Sequence, residues 1–344
     1  MSENKKSCQG IPSRLGRVGG QAVMEGVMMK SKTQYTTAVR TPDGNIIRDT
    51  HPVTSIKDKV KLFRLPIIRG VVNFVEMLKL SMSTLTFSAE AIGFEEEEES
   101  KFEKWLTKTF GASLMNIVTA VGMVLGVILA VCLFMWLPAL ISGFVGGFIP
   151  ENASEGAMNV FRSVLEGFVK IGIFVLYVWA VSFMPDIRTT FRYHGAEHKS
   201  IFCYEKGLDL TVENVKAQKR LHPRCGTSFM IVMMIIGIII SMFITWDNML
   251  MRVLLKVVTL PLVMGLGYEF LMYAGKHDNM LIRALSAPGL WLQKITTQEP
   301  DDKQIDVAIV ALKSALSDEF PEESVFENIE LPVKNEEPAD GTAE

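Results

Sequence analysis

The stretch "SLMNIVTAVGMVLGVILAVCLFMWL", residues 113–137, holds no charged side chain, and three further apolar runs follow it at 161–184, 229–246 and 251–274. The hydrocarbon layer of a bilayer is about 30 Å thick and takes roughly 20 residues of α-helix to cross. Each run reaches or approaches that length, so the pattern predicts four transmembrane helices within 111–274. The first and third are free of charge. The second is apolar from Ile171 onward, but its first turns carry Arg162, Glu166 and Lys170 at every fourth position, on one helical face. That row reads as an i,i+4 ion-pair ladder near the outer surface. The fourth carries Arg252 and Lys256 at its start and Glu269 near its end.

Outside these runs the periodicity changes. Residues 1–60 are rich in glycine, threonine and short β-favouring runs, and "YTTAVRTPDGNIIRDT" reads as a β-hairpin turning at Pro42, Asp43 and Gly44. Just before it, "GRVGGQAVMEGVMMK" sets Gly16, Gly19, Gly20 and Gly26 around Glu25, a place where backbone can approach a neighbour closely. In 61–94 an apolar pattern is interrupted by Arg69, Glu76 and Lys79 behind Pro66, which predicts an amphipathic helix on the membrane surface, with a re-entrant hairpin as the alternative. An acidic linker follows at 95–110. Residues 275–317 predict an interfacial segment, broken near Pro288 and Gly289, and a cytoplasmic helix in "DDKQIDVAIVALKSALSDE". The tail 318–344 has ten acids against Lys334 and reads as disordered. The fold class is a mainly α-helical integral membrane protein of about four transmembrane helices, with a small N-terminal β-rich cytoplasmic segment and cytoplasmic or interfacial helices.

Composition points to the same solvent: 49% hydrophobic residues and 20 methionines, against 21% charged residues, make the lipid bilayer the first partner. Residues 1–60 contain no apolar signal-type run, so insertion relies on the internal spans. Lys and Arg mark the cytoplasmic side of a membrane helix. The connection 138–160 has neither, whereas the loop 185–228 carries Arg188, Arg192, Lys199, Lys206, Lys216, Lys219, Arg220 and Arg224. That loop is expected in the cytoplasm, and four spans put both termini there too. The net charge of −3 is segregated into acidic blocks and says little about partners. Direct nucleic-acid binding is not predicted; a membrane-protein partner or a homo-oligomer is. Of the four cysteines, Cys8, Cys203 and Cys225 fall on the reducing side, where thiols are expected.

The loop 185–228 also holds the candidate chemistry. In "YHGAEHKSIFCYEKG", His194, Glu197 and His198 fall within about 100° on one face of a helix. This is the inverted zincin order, H-x-x-E-H. Two imidazoles would hold a divalent metal, most naturally Zn, and Glu197 would act as catalytic base towards a water activated by it. Gly195 works against a continuous helix there, at roughly 1 kcal/mol relative to alanine. The same loop ends in "LHPRCGTSFM", whose His222 and Cys225 are candidates to complete three or four metal ligands. Read without a metal, that stretch is a helix start with Thr227 or Ser228 as N-cap. Glu269 is a further candidate, as a third ligand or as a hydrogen-bond partner of a ligating histidine. A zinc deaminase pattern is excluded, because the second cysteine of P-C-x-x-C is absent.

The segments "GGQAVMEGVMMK", "RYHGAEHKSIFCYE" and "HPRCGTSF" together resemble the YqhQ-like family of bacterial multi-span membrane proteins, described as predicted metal-dependent enzymes, over most of 15–315. The resemblance implies a bacterial inner-membrane location, with His194, Glu197 and His198 as the metal motif and His222 and Cys225 as companions. Genes of such proteins often neighbour translation-termination genes, which implies work near membrane-protein synthesis. Two functions are expected to compete: a membrane-embedded metal-dependent hydrolase facing the cytoplasm, and a non-catalytic accessory or scaffold protein linked to protein insertion, translocation or translation at the membrane. A transporter is the weakest reading, since four spans are few and no repeated halves are visible.

Overall fold

The structure is a computed structural model that describes residues 14–58, 60–93, 112–146, 154–244, 248–274 and 280–321. The predicted acidic linker and nearly all of the predicted tail lie outside the described residues. Near the N-terminus four strands, β1 (Gly19–Val23), β2 (Gly26–Lys30), β3 (Gln34–Arg40) and β4 (Ile46–Pro52), form one antiparallel sheet in the order β1-β2-β3-β4. The predicted hairpin is β3–β4, in register from Gln34 opposite Pro52 to Arg40 opposite Ile46, and Gly44 takes the positive φ of 87° that its turn requires.

Helix α1 (Ile68–Ala91) follows Pro66 at the place where the amphipathic pattern predicts it. Then α2 (Ala112–Val131) passes through a π-helical turn, Cys132–Trp136, into α3 (Leu137–Gly146). Helix α4 (Glu155–Val181) starts at the N-cap Ser154, whose hydroxyl accepts the Ala157 amide. Helix α5 (Pro185–Glu205) has Pro185 in its first turn, where the missing N–H costs nothing. The short α6 (Val212–Lys216) leads to α7 (Gly226–Ser241), α8 (Met249–Val258), α9 (Leu260–Ala274), α10 (Met280–Thr296) and α11 (Asp302–Ala315). A capping box between Asp301 and Gln304 starts α11.

Among the described residues two helices are long and apolar enough to cross a membrane, Val124–Val145 and Gly156–Val181, and α8 with α9 makes a third if this pair, bent by 43°, is one span. The pattern predicted four. The run at 229–246 yields α7, whose 16 residues rise only about 24 Å. It stops where α4 takes over its last carbonyls: Ser163 Oγ donates to Ser241 O at 3.0 Å and Asn159 Nδ2 to Met242 O at 2.6 Å. The bend between α8 and α9 falls before Pro261, which has no N–H for the carbonyl one turn back. These helices turn large apolar side chains outward, among them Leu129, Phe144, Phe168, Leu176 and Leu250. Exposure of this kind fits lipid rather than water.

The ladder on α4 is a correction. Among the described residues no ion pair forms within Arg162, Glu166 and Lys170; Glu166 turns away to meet Lys256 and Arg252 of α8, the latter at 3.4 Å. A matched spacing on one helix does not decide pairing when a second helix brings cations closer.

At the other end the sheet is not a free-standing segment. Helix α11 packs on β2 and β3, and α5 packs on β1 and β2 and on α11. Their shared core includes Val27, Met29, Ala38, Tyr193, Ala196, Tyr204, Ile305 and Leu312. Helix α1 joins this head to the apolar bundle through α9. Gly70 and Gly265 make the approach possible, since a Cβ on Gly70 would sit 2.9 Å from the Gly265 Cα. Glu269 fixes the pair, accepting from Arg69 at 2.7 and 2.5 Å and from the Ile67 amide at 3.3 Å.

Candidate metal centre

Helix α5 runs unbroken through "HGAEH". Gly195 does not interrupt it, because the residue serves packing. The backbone of 297–300 crosses α5 there, with the Gln298 amide donating to Phe191 O at 2.9 Å, and a Cβ on Gly195 would lie 2.0 Å from the Gln298 carbonyl oxygen. The crossing segment brings Thr296 to His194. His194 Nδ1 stands 2.8 Å from the Thr296 carbonyl oxygen, and His198 Nδ1 bonds the Arg220 carbonyl oxygen. A carbonyl only accepts, so both rings carry their proton on Nδ1 and leave the Nε2 lone pair free. This is how a metal-ligating histidine is oriented by its surroundings.

Cys225 comes to the same place from α7. It is the N-cap of that helix, with φ −73° and ψ 146°, rather than Thr227 or Ser228 as the sequence suggested. Its Sγ lies 3.2 Å from His194 Nε2, and the two imidazole centroids are 4.4 Å apart. One ligand atom each from His194, His198 and Cys225 falls within 4.8 Å of the others. Tetrahedral zinc, with bonds of about 2.0–2.3 Å, sets its ligand atoms roughly 3.3–3.6 Å apart, so small side-chain adjustments close the triangle. A helix N-terminus also favours a negatively charged ligand.

Glu197 borders this triangle. It is 4% exposed, its Oε2 stands 3.9 Å from His194 Nε2, and that oxygen has no hydrogen-bond partner. Burial pushes its carboxyl up to about 7, against the opposing pull of the His194 ring and the Gly20 amide. Gly20 belongs to the N-terminal glycine segment, and a Cβ there would meet Glu197 Cγ at 2.9 Å. The close backbone approach expected of those glycines is therefore made to the acid of the histidine motif. Glu25, at the β1–β2 turn with φ 47°, accepts from the Tyr193 hydroxyl at 3.1 Å.

The structure does not bring all the candidates together. His222 is buried beside the group, its ring centroid 5.6 Å from that of His198, but it faces another way. Its Nδ1 accepts the Arg224 amide at 3.3 Å, so its proton sits on Nε2, which faces Glu205 Oε2 at 3.7 Å. Burial lowers the basicity of this ring. Burial also opposes the charge of Glu205, but the His222 ring, the Gly16 amide at 3.0 Å and the Arg224 guanidinium outweigh it and hold the carboxyl below the usual range. Glu269 is committed to Arg69 and is not part of the group. Sequence reasoning missed Thr296, Arg220 and Gln293. Gln293 is fully buried, accepts the His222 amide and donates to its carbonyl, both at 2.8 Å, and also donates to Ser228 Oγ. A lone glutamine in an interfacial pattern carries no signal of such a role.

The donor set of two nitrogens and one sulfur, with a buried carboxylate oxygen unpaired beside it, fits a divalent metal ion such as Zn. Comparison with known proteins places the chain in a family. The model of the family described as "Protein of unknown function (DUF1385)" matches residues 65–318. The "Uncharacterized protein YqhQ" of Bacillus subtilis (strain 168) is 34% identical over 309 residues, covering 87% of this chain and 92% of that protein. No solved structure matches the chain. The chain thus belongs to the YqhQ-like, DUF1385 family.

Proposed function

We propose that this chain is a membrane-embedded, metal-dependent hydrolase of the bacterial inner membrane, with its site and both termini on the cytoplasmic side and a peptide or lipid-linked substrate. The observation that carries the reading is the His194, His198 and Cys225 triangle with the unpaired Glu197 oxygen beside it. His194, His198 and Cys225 would hold the ion, and the carbonyls of Thr296 and Arg220 orient the two rings. A bound divalent ion would supply Lewis-acid polarisation of the scissile carbonyl or phosphoryl group. Glu197, with its carboxyl near 7, takes the proton of the attacking water on Oε2 and returns it to the leaving group. His222 stands outside the triangle, and three protein ligands with one open position suit catalysis better than a closed structural site.

The test is the metal content of the full chain purified in neutral detergent without chelators. About one zinc per chain is expected in the parent and in His222→Ala and Glu197→Gln, and none in His194→Ala or Cys225→Ser. Glu197→Gln should lose hydrolysis while keeping its metal. A parent chain that takes up no divalent ion on titration ends the proposal. The competing accessory role gains if a stoichiometric cross-linked partner in cells survives Glu197→Gln and zinc proves to need His222.

A further inference from the structure

Between the apolar helices lies a cavity of about 520 Å³, within the roughly 300–1,000 Å³ usual for small-molecule sites. Its walls divide by chemistry. Towards one end stand Ser163, Glu166 and Lys256 and towards the other Phe174 and Tyr177, about 16 Å from Glu166 to Tyr177 along α4, with Lys170 about 6 Å along that length. Methionines of α7 and α9 line the length between them. Such side chains adapt to flexible apolar ligands.

The charges at the polar end do not balance. Glu166 is shared by Lys256 and Arg252 and also accepts from Ser142 Oγ at 3.0 Å. Lys170 forms no ion pair among the described residues, although it faces the same cavity. A proton path would need a carboxylate free to take a proton, and this one is held by two cations. Ionisable residues inside a membrane segment are costly and mark ligand or ion sites. A cavity with a surplus of positive charge towards one end and apolar walls along the rest is complementary to a molecule with an anionic head and a hydrocarbon tail.

We propose that this cavity binds an anionic amphiphile, head at Lys170 and Lys256, chain along α7 towards Phe174 and Tyr177. The proposal stands on the cavity alone and does not depend on the metal reading. Gly237 offers a clean way to block it: the residue lines the cavity, and a Cβ there meets no atom within 4 Å.

The experiment is native mass spectrometry of the full chain released from maltoside micelles with added oleate, phosphatidylglycerol or phosphatidylcholine. One retained anionic species per chain is expected, held at least about tenfold more tightly than phosphatidylcholine. Retention of phosphatidylglycerol assigns the head to a phosphate diester, and retention of oleate assigns it to a carboxylate. Gly237→Leu should abolish retention, and Lys170→Gln should lower the preference for the anion about tenfold. Parent-like thermal stability shows that each variant is folded. Equal retention of phosphatidylcholine, or retention unchanged in both folded variants, overturns the proposal.

Discussion

A methyl group on Gly195 would arrive 2.0 Å from the Gln298 carbonyl oxygen, and that contact sets two effects against each other. Alanine favours a helix over glycine by about 1 kcal/mol, while forcing backbone aside costs about 1–3 kcal/mol. Gly195→Ala is therefore expected to destabilise the chain by a net of up to about 2 kcal/mol, and to weaken binding of the proposed zinc, because Thr296 moves with the crossing segment. Thermal unfolding in detergent checks this, and a more stable variant would contradict it. Glu197 gives a second test. Its carboxyl is raised from the ordinary 4.5 to about 7 by burial, so the folded chain binds this proton more tightly than the unfolded one. The associated stability is complete below pH 4.5 and is lost as pH rises to about 7. The loss is on the order of 3 kcal/mol. Going from pH 5.5 to pH 8 the metal-free parent should then lose more melting temperature than Glu197→Gln, in which this contribution is absent. At this scale the spacing of His194, Glu197 and His198 was legible in the sequence, because helical geometry alone puts them on one face. Gly20 and Thr296 were not, since their contacts with the motif close over long separations in the chain.

Among the elements, α1 and α9 meet in a close glycine contact between the head and the bundle. Tyr268 Cβ lies 2.7 Å and Gly265 Cα 2.9 Å from where a Cβ on Gly70 would stand. Gly70→Val should separate the two helices at a cost of about 1–3 kcal/mol. Amide hydrogen exchange should become faster across α1 while the sheet stays protected. Unchanged exchange in α1 would show that the glycine contact does not hold it. The amphipathic pattern had announced α1, and the turn residues had announced β3–β4, because both signals are local. Neither the pairing of Arg69 with Glu269 nor that of Glu166 with Lys256 was legible, as each depends on which helices become neighbours. The shortness of α7 escaped the hydropathy pattern for a related reason: its apolar run continues to Trp246, but side chains of α4 cap its carbonyls at Ser241 and Met242.

For the molecule as a whole, the proposed ion would tie together α5 and α7, with α10 supplying the Thr296 carbonyl. Stripping the metal should lower the melting temperature of the entire chain, and zinc at a thousandfold its dissociation constant should restore about 4 kcal/mol. His194→Ala should melt alike with and without zinc; a zinc-dependent shift in that variant would place the ion elsewhere. The apolar character of the bundle helices was legible from composition and run length, whereas the union of the sheet, α5 and α11 around one core was not, since their apolar faces lie far apart in sequence. The lodging of Gly20 against Glu197, with Thr296 behind His194, also bears on how the protein is made. Synthesis begins at the N-terminus, so β1 leaves the ribosome before the apolar helices and must wait while they are made. The imidazole of His194 acquires its oxygen acceptor only after Thr296 has emerged. A nascent chain arrested before that point would carry both histidines and yet lack the finished centre, so capture of the proposed ion would belong to the last stage of biogenesis.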